Sequence, residues 1–149
     1  MPGTLVDIVS DVVAKLIVDL GLGNIPTSVT WPVFSCIEPE SPDSCITVYG
    51  TEGVLQGRSG VDKEMAVQDG IQIRVRSSSI TNAKAKAEEI AIAFDGIYQR
   101  AVSLTSPSRS YAIQSILRTS PVIPLGRQAG ISERYIFTVN ATLSIRQTA

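Results

Sequence analysis

The 149-residue chain contains no histidine. Every catalytic triad or dyad that depends on histidine is therefore excluded within a single subunit, as is every metal site with an imidazole ligand. The sequence also lacks an apolar run of the roughly 20 residues that a membrane-spanning helix needs. Its N-terminus, Met-Pro-Gly-Thr, lacks the basic stretch and apolar core of a signal peptide. We therefore expect a soluble protein, with no membrane partner, that is assembled in the cytoplasm.

Cysteine is scarce, since only Cys36 and Cys45 are present. In the cytoplasm both are expected to be reduced thiols, and a disulfide would require the strands that carry them to pair. Two cysteines without a histidine do not complete a usual structural zinc site within one chain. Neither thiol has an evident activating base, so the sequence predicts no nucleophilic role for them.

The carboxylates provide no candidate catalytic or metal site, and the sequence provides no phosphate-binding motif. Glu88 and Glu89 are consecutive on a predicted helix, so their side chains diverge rather than converge on a substrate. Asp62, Glu64 and Asp69 lack the order of an EF-hand loop, and no P-loop motif is present. The sequence therefore predicts a protein that is not an enzyme and has no catalytic residue, cofactor or metal site.

Charge is unevenly distributed along the chain. Residues 1–56 hold one lysine and seven acidic residues, a net charge of −6, whereas the remainder holds twelve basic and seven acidic residues, a net of +5. This polarity is compatible with a molecule oriented between two different neighbours. Chance mixing over a folded surface explains it equally well.

Helical periodicity predicts two amphipathic helices. The first begins at a capping box formed by Thr4 and Asp7 and ends at Gly21 and Gly23. The second is capped by Thr81. Many of its inward positions are alanine, which predicts close packing on a sheet. The buried stripe predicted for this helix comprises Ala83, Ala87, Ile90, Ala91, Phe94, Ile97, Tyr98 and Ala101.

Strands are predicted where apolar and polar residues alternate. Alternation marks 71–76 and, over the longest stretch, 134–146. A further strand is predicted over 111–118, and it is joined to the last strand by a loop rich in proline and glycine. In the stretch 134–146, small uncharged residues occupy much of the second face, which suits packing against a neighbour or lining a channel. The β-rich runs 29–37 and 45–49 predict a short strand pair.

Glycine, proline and serine mark the predicted connections. The stretch 50–69 is expected to be a mobile loop or the extension of a hairpin, whereas 103–110 and 120–132 are expected to be loops. Together the elements predict one α+β domain over 1–149. In it, a mainly antiparallel sheet carries two helices on one face and has extended loops.

Arg74 and Arg76 alternate with apolar residues, which predicts a strand with one buried and one cationic face. With Arg118 and Arg146 on neighbouring strands, that face is a candidate platform for nucleic acid. The sequence pI of about 5.4 argues against a dedicated nucleic-acid-binding module, which is usually strongly basic. The favoured alternative is that these arginines pair with acidic groups across a subunit interface.

Three segments resemble the tail terminator, or tail-to-head joining, proteins of long-tailed bacteriophages. They are VQDGIQIRVRS, TNAKAKAEEIAIAFDGIYQRA and PVIPLGRQAGISERYIFTVNATLSI. The early Trp-x-Val and PDSCITVYGTEG fit the same layout, so the resemblance spans most of the chain from about Trp31.

This resemblance implies a structural virion protein of the tail or neck that forms a hexameric ring. The expected partners are further copies of the chain, the tail tube protein and the head-side connector or stopper protein, with DNA passing through the lumen without specific recognition. The loops 50–69 and 120–132 are the expected contact segments. The charged residues expected at the interfaces are Arg58, Arg74, Arg76, Arg127 and Arg134. Reversing Arg74 and Arg76 to glutamate is then expected to weaken ring assembly and leave the subunit folded.

Overall fold

The computed structural model describes residues 9–58, 65–105, 108–128 and 133–147. They form two helices and seven strands. In chain order the elements are α1 (Val9–Asp19), β1 (Val33–Ser35), β2 (Cys45–Arg58), β3 (Met65–Ser77), α2 (Ile80–Asp95), β4 (Tyr98–Thr105), β5 (Ser108–Arg118), β6 (Ile123–Gln128) and β7 (Arg134–Gln147).

The seven strands of the described residues form one sheet in the order β1-β2-β3-β7-β5-β4. Strand β6 pairs with the first half of β7, beyond the stretch of β7 that pairs with β5. Within this sheet only β1 and β2 run parallel, and the other pairs are antiparallel. The predicted α+β class with a mainly antiparallel sheet is confirmed.

The sheet has two chemically different faces. On the inner face, Val48, Ile73 and Val139 lie side by side in register and are buried. Both helices pack here, and their apolar residues join those of the sheet in one hydrophobic cluster. On the outer face, Arg74 lies in register between Thr47 and Thr138. The alternation predicted for β3 and β7 therefore sorts their residues between a helix-covered core and a polar face.

Helix α1 ends where glycine was predicted to end it. Gly21 has φ +76°, a left-handed conformation that glycine adopts without strain. Its N–H donates to the carbonyl of Val18 at 3.0 Å, and the N–H of Leu22 donates to the carbonyl of Ile17 at 3.1 Å. These two bonds form a Schellman motif. The predicted capping box of Thr4 and Asp7 lies outside the described residues.

The predicted limits of the second helix are wrong at both ends. The N-cap is Ser79, whose Oγ accepts a bond from the N–H of Asn82 at 3.3 Å, rather than Thr81. Helix α2 ends at Asp95, and the N–H of Gly96 then donates to the carbonyl of Ala93. Tyr98 and Ala101, which continue the helical spacing, are exposed residues of β4.

Several predicted loops are strands. Of the alternatives for 50–69, the hairpin extension is right, because β2 and β3 pair through most of this range. The predicted connections 103–110 and 120–132 contain the β4–β5 hairpin and β6. Residues 123–127 of β6 are all exposed, so no buried face imposes an alternating pattern on them. Residues 59–64, 106–107 and 129–132 lie outside the described part of these segments.

Candidate assembly interface

The five arginines predicted at interfaces occupy different environments. Arg74, Arg76 and Arg134 come together on the outer face, beneath the connection between β1 and β2, which we call loop 36–44. Arg127 lies on β6. Arg58 is the last residue of β2, and its side chain lies outside the described part of the chain.

Arg76 is buried, with 2% of its surface exposed. Its guanidinium donates three hydrogen bonds to backbone carbonyls of loop 36–44. Nε bonds to Asp43 at 3.2 Å, while Nη2 bonds to Pro42 at 2.8 Å and to Glu40 at 3.4 Å. Three backbone carbonyls of the loop are thereby attached to one side chain of the sheet.

Arg134 and Arg74 extend this attachment. Arg134 donates from Nε to the Asp43 carboxylate at 2.9 Å and from Nη2 to the Glu40 carbonyl. The Glu38 carboxylate lies between two guanidinium groups, 3.6 Å from Nη2 of Arg74 and 3.9 Å from Nη1 of Arg76. We call these three arginines the arginine clamp. It fixes a loop that is distant in sequence against β3 and β7.

The clamp covers part of the strand face that was predicted to be cationic. Arg76 is enclosed by loop 36–44, and the acidic residues Glu38 and Asp43 compensate the positive charge. The expectation of a cationic surface on β3 is therefore wrong for this part of the strand. Arg74, Arg76 and Arg134 pair with acidic groups within the subunit, whereas the favoured alternative expected such pairs across a subunit interface. Because Arg76 is buried, a glutamate at this position would face backbone carbonyls, so we now expect the reversed variant to be destabilised.

Some polar atoms at the contact between the loop and the sheet lack hydrogen bonds. Oε1 of Glu38, Oγ1 of Thr47 and Nε of Arg74 are buried and have no hydrogen-bond partner among the described residues. The Glu38 ion pairs are also longer than hydrogen bonds. The loop is thus anchored chiefly by the well-formed bonds of Arg76 and Arg134, and less by Glu38.

Sequence reasoning missed the clamp because most of its acceptors are backbone carbonyls. A carbonyl accepts a hydrogen bond whatever side chain it belongs to, so the sequence does not mark it. One weak signal was present. Loop 36–44 contains three acidic residues and no basic residue, which favours a cationic partner elsewhere in the fold.

Arg127 lies in a contrasting environment at the surface. Its Nη1 pairs with Oε1 of Glu133 at 2.9 Å, and both side chains are more than half exposed. Such a pair contributes little to folding stability, about 0–1 kcal/mol. Arg127 is therefore available to a neighbouring molecule at small cost, in contrast to Arg76.

The two cysteines are both free. Cys36 is exposed and its Sγ lies 3.0 Å from Oγ of Ser10. Cys45 is fully buried next to Arg76 in the sheet, and burial raises the pKa of its thiol. The protonated, unreactive form of Cys45 is thereby favoured at neutral pH.

A thiolate-directed reagent is expected to modify one of the two thiols in the folded protein at neutral pH. Cys36 reacts promptly because it is exposed, whereas Cys45 reacts only when the protein unfolds. Spectroscopic thiol counting with and without denaturant measures both. A Cys36→Ser variant should show no prompt reaction. Two promptly reacting thiols in the native wild type would contradict the burial of Cys45.

Among the described residues, no group of three acidic, cysteine or histidine residues is arranged to hold a metal ion. Burial raises the pKa of Asp69, which disfavours the charged form that a cation would need. Asp62 and Glu64, the other two carboxylates of that region, lie outside the described residues. No helix in the described part of the chain is long and apolar enough to cross a membrane.

Comparison with known proteins assigns the chain to a class of structural virus proteins. The sequence profile of the bacteriophage tail terminator protein family matches residues 16–147. The chain belongs to this family, and it is a structural component of the phage tail. This confirms the resemblance drawn from the sequence.

The other comparisons add little. No curated protein matches the chain. One solved structure aligns over 99% of this chain and 98% of its own length, at 14% identity and a TM-score of 0.46. A likeness at that level carries no argument about function.

Proposed function

We propose that copies of this chain form a ring, expected to be hexameric, that ends the tail tube and joins it to the head-side connector or stopper protein. The family match over residues 16–147 carries the proposal, because it covers both helices and all the strands in part or whole. In this role the protein acts by shape. One surface fits the end of the tube and another does not fit further tube subunits.

The two ends of the sheet support the proposal of a ring. A ring requires two different surfaces on each subunit that fit each other, known as a heterologous contact. In the described residues, β1 and β4 are the terminal strands of the sheet order. The outer edge of β1 is partly occupied, because the N–H of Val33 donates to the carbonyl of Asn24 at 2.9 Å. Unpaired strand edges readily pair with another chain. The two ends of the sheet are therefore natural candidates for the contacts between subunits.

The five arginines contribute to this proposal in two ways. Arg127, in the segment 120–132, and Arg58, at the end of β2 in the segment 50–69, are proposed to touch neighbouring subunits or the tube. Arg74, Arg76 and Arg134 act indirectly, because their bonds fix loop 36–44 and so define the surface that the outer face presents.

Growth of tail tubes in vitro tests the proposal. Purified tube protein is polymerised with increasing amounts of this chain, and tube lengths are measured by negative-stain electron microscopy. A terminating ring predicts that mean length falls as the ratio of this chain to tube protein rises, with one cap at a tube end. Unchanged lengths and uncapped ends at every ratio would contradict it.

The clamp counts against the alternative of a nucleic-acid-binding module, because it engages Arg74 and Arg76, two of the four arginines of the predicted platform. Under the proposal, DNA passes through the ring without specific recognition. Titration of duplex DNA at two salt concentrations separates the two functions. Tight binding with a steep salt dependence would favour the module, and weak binding at both concentrations would favour the ring.

A further inference from the structure

The outer face of the sheet carries an exposed apolar patch at its β4 end. Tyr98 pairs with Ser115, and Leu117 lies two residues further along β5, so the two large side chains are diagonal neighbours on one face. Gln99, at φ +50°, and an irregularity in β5 after Ile113 redirect both strands there. Tyr98 is 73% exposed and Leu117 is 65% exposed. We call this pair the β4-end patch.

Three further exposed apolar residues flank the terminal strand at the other end of the sheet. Ile25 and Val29 lie in the connection that precedes β1, and Ile37 directly follows this strand. Val29 is 82% exposed and Ile37 is 75% exposed. A short turn, in which the N–H of Ser28 donates to the carbonyl of Ile25 at 2.9 Å, fixes the first of these segments. Ile25, Val29 and Ile37 form the β1-end patch.

The stretches of sequence that contain the two patches differ in the sign of their charged residues. Residues 20–44, which contain the β1-end patch, include three acidic residues and no basic residue. Residues 98–118, which contain the β4-end patch, include three basic residues and no acidic residue. The clamp and the pairing of Arg118 with Asp95 reduce the contrast. Glu40 is nevertheless exposed three residues after Ile37, and Arg100 follows Tyr98 by two residues on β4.

We infer that the β1-end patch of one copy of this chain packs on the β4-end patch of the next copy. The two patches lie at the two ends of the strand order, are both apolar, and belong to stretches of sequence whose charged residues differ in sign. These are the properties of a heterologous contact that can continue from subunit to subunit until a ring closes. The inference rests on the proposed ring and adds the identity of the two contacting surfaces.

Two variants with one damaged surface each test this inference. Ile37→Asp introduces a charge into the β1-end patch, and Leu117→Asp does so in the β4-end patch. Each is expected to weaken subunit association at least about 30-fold, as loss of an interface hot spot does. Analytical ultracentrifugation of each variant alone should show single subunits where the wild type shows rings. An equimolar mixture should yield pairs, because one intact surface of each kind remains.

The matched control is Ile92→Asp. Ile92 is 71% exposed on α2 and belongs to neither patch, so this variant should form rings like the wild type. Circular dichroism checks that each variant is folded. The pair Val29→Asp and Tyr98→Asp repeats the experiment at other positions if either of the first variants fails to fold.

The outcomes separate the two proposals. Rings formed by either single-surface variant, or a mixture that stays as single subunits, would overturn the assignment of the surfaces and leave the ring itself intact. A wild type that forms no ring, either alone or on the ends of tail tubes, would overturn the proposed function and this inference with it.

Discussion

Replacement of Arg76 by alanine is expected to lower the free energy of unfolding by about 3 kcal/mol. The substitution removes three hydrogen bonds to carbonyls of loop 36–44 and leaves Glu38 without one of its two cationic neighbours. These groups stay partly buried, so their lost bonds are not replaced in full by water. Urea denaturation monitored by circular dichroism measures the change.

Arg127→Ala is the matched control for this experiment. It removes an arginine of the same sheet whose ion pair with Glu133 is exposed. The expected change in the free energy of unfolding is within about 0.5 kcal/mol. Equal denaturation midpoints for Arg76→Ala and the wild type would show that the clamp does not hold the loop.

Replacement of Phe94 by alanine is expected to cost about 3 to 5 kcal/mol of unfolding free energy. Phe94 is fully buried in the cluster between α2 and the inner face of the sheet. Its removal leaves a cavity that close-packed neighbours fill only in part. Thermal and urea denaturation should both report the loss.

Ile92→Ala supplies the comparison on the same helix. Ile92 points away from the core, so its truncation is expected to change the unfolding free energy by no more than about 0.5 kcal/mol. Similar losses for Phe94→Ala and Ile92→Ala would contradict the orientation of α2. The pair thus tests which face of the helix packs on the sheet.

Periodic burial made the central elements predictable from the sequence. Strands β3 and β7 have one face against the helices and one polar face, so Ile73 and Val139 stand in clear alternation with their neighbours. The C-cap of α1 was predictable because glycine adopts the left-handed conformation of a C-cap without strain, and Gly21 has this conformation.

The peripheral elements were less predictable for a physical reason. Tyr98 continues the apolar spacing of α2, yet Gly96 ends the helix and the chain becomes strand β4. Strand β6 is exposed throughout the part whose burial is described, and its Pro124 and Gly126 favour loop over strand by their intrinsic preferences. Pairing with β7 overrides those preferences.

The sequence singled out the three arginines of the clamp as interface residues, which stays a prediction, and did not predict their arrangement. The sequence identified Arg74, Arg76 and Arg134, whereas their main acceptors are carbonyls and carboxylates of a loop more than thirty residues away. No periodicity connects a loop to the strand that it covers. The directions of these side chains were therefore not predictable from the sequence, and the structure was needed to determine them.

An image of the intact virion at the junction of head and tail tests the central claim most directly. The proposal predicts a closed ring of this chain at the head-proximal end of the tube, with the β1 end of each subunit against the β4 end of the next. Cryo-electron microscopy at a resolution that traces the chain would show it. A single copy at that position, or a ring located elsewhere in the tail, would contradict the proposal.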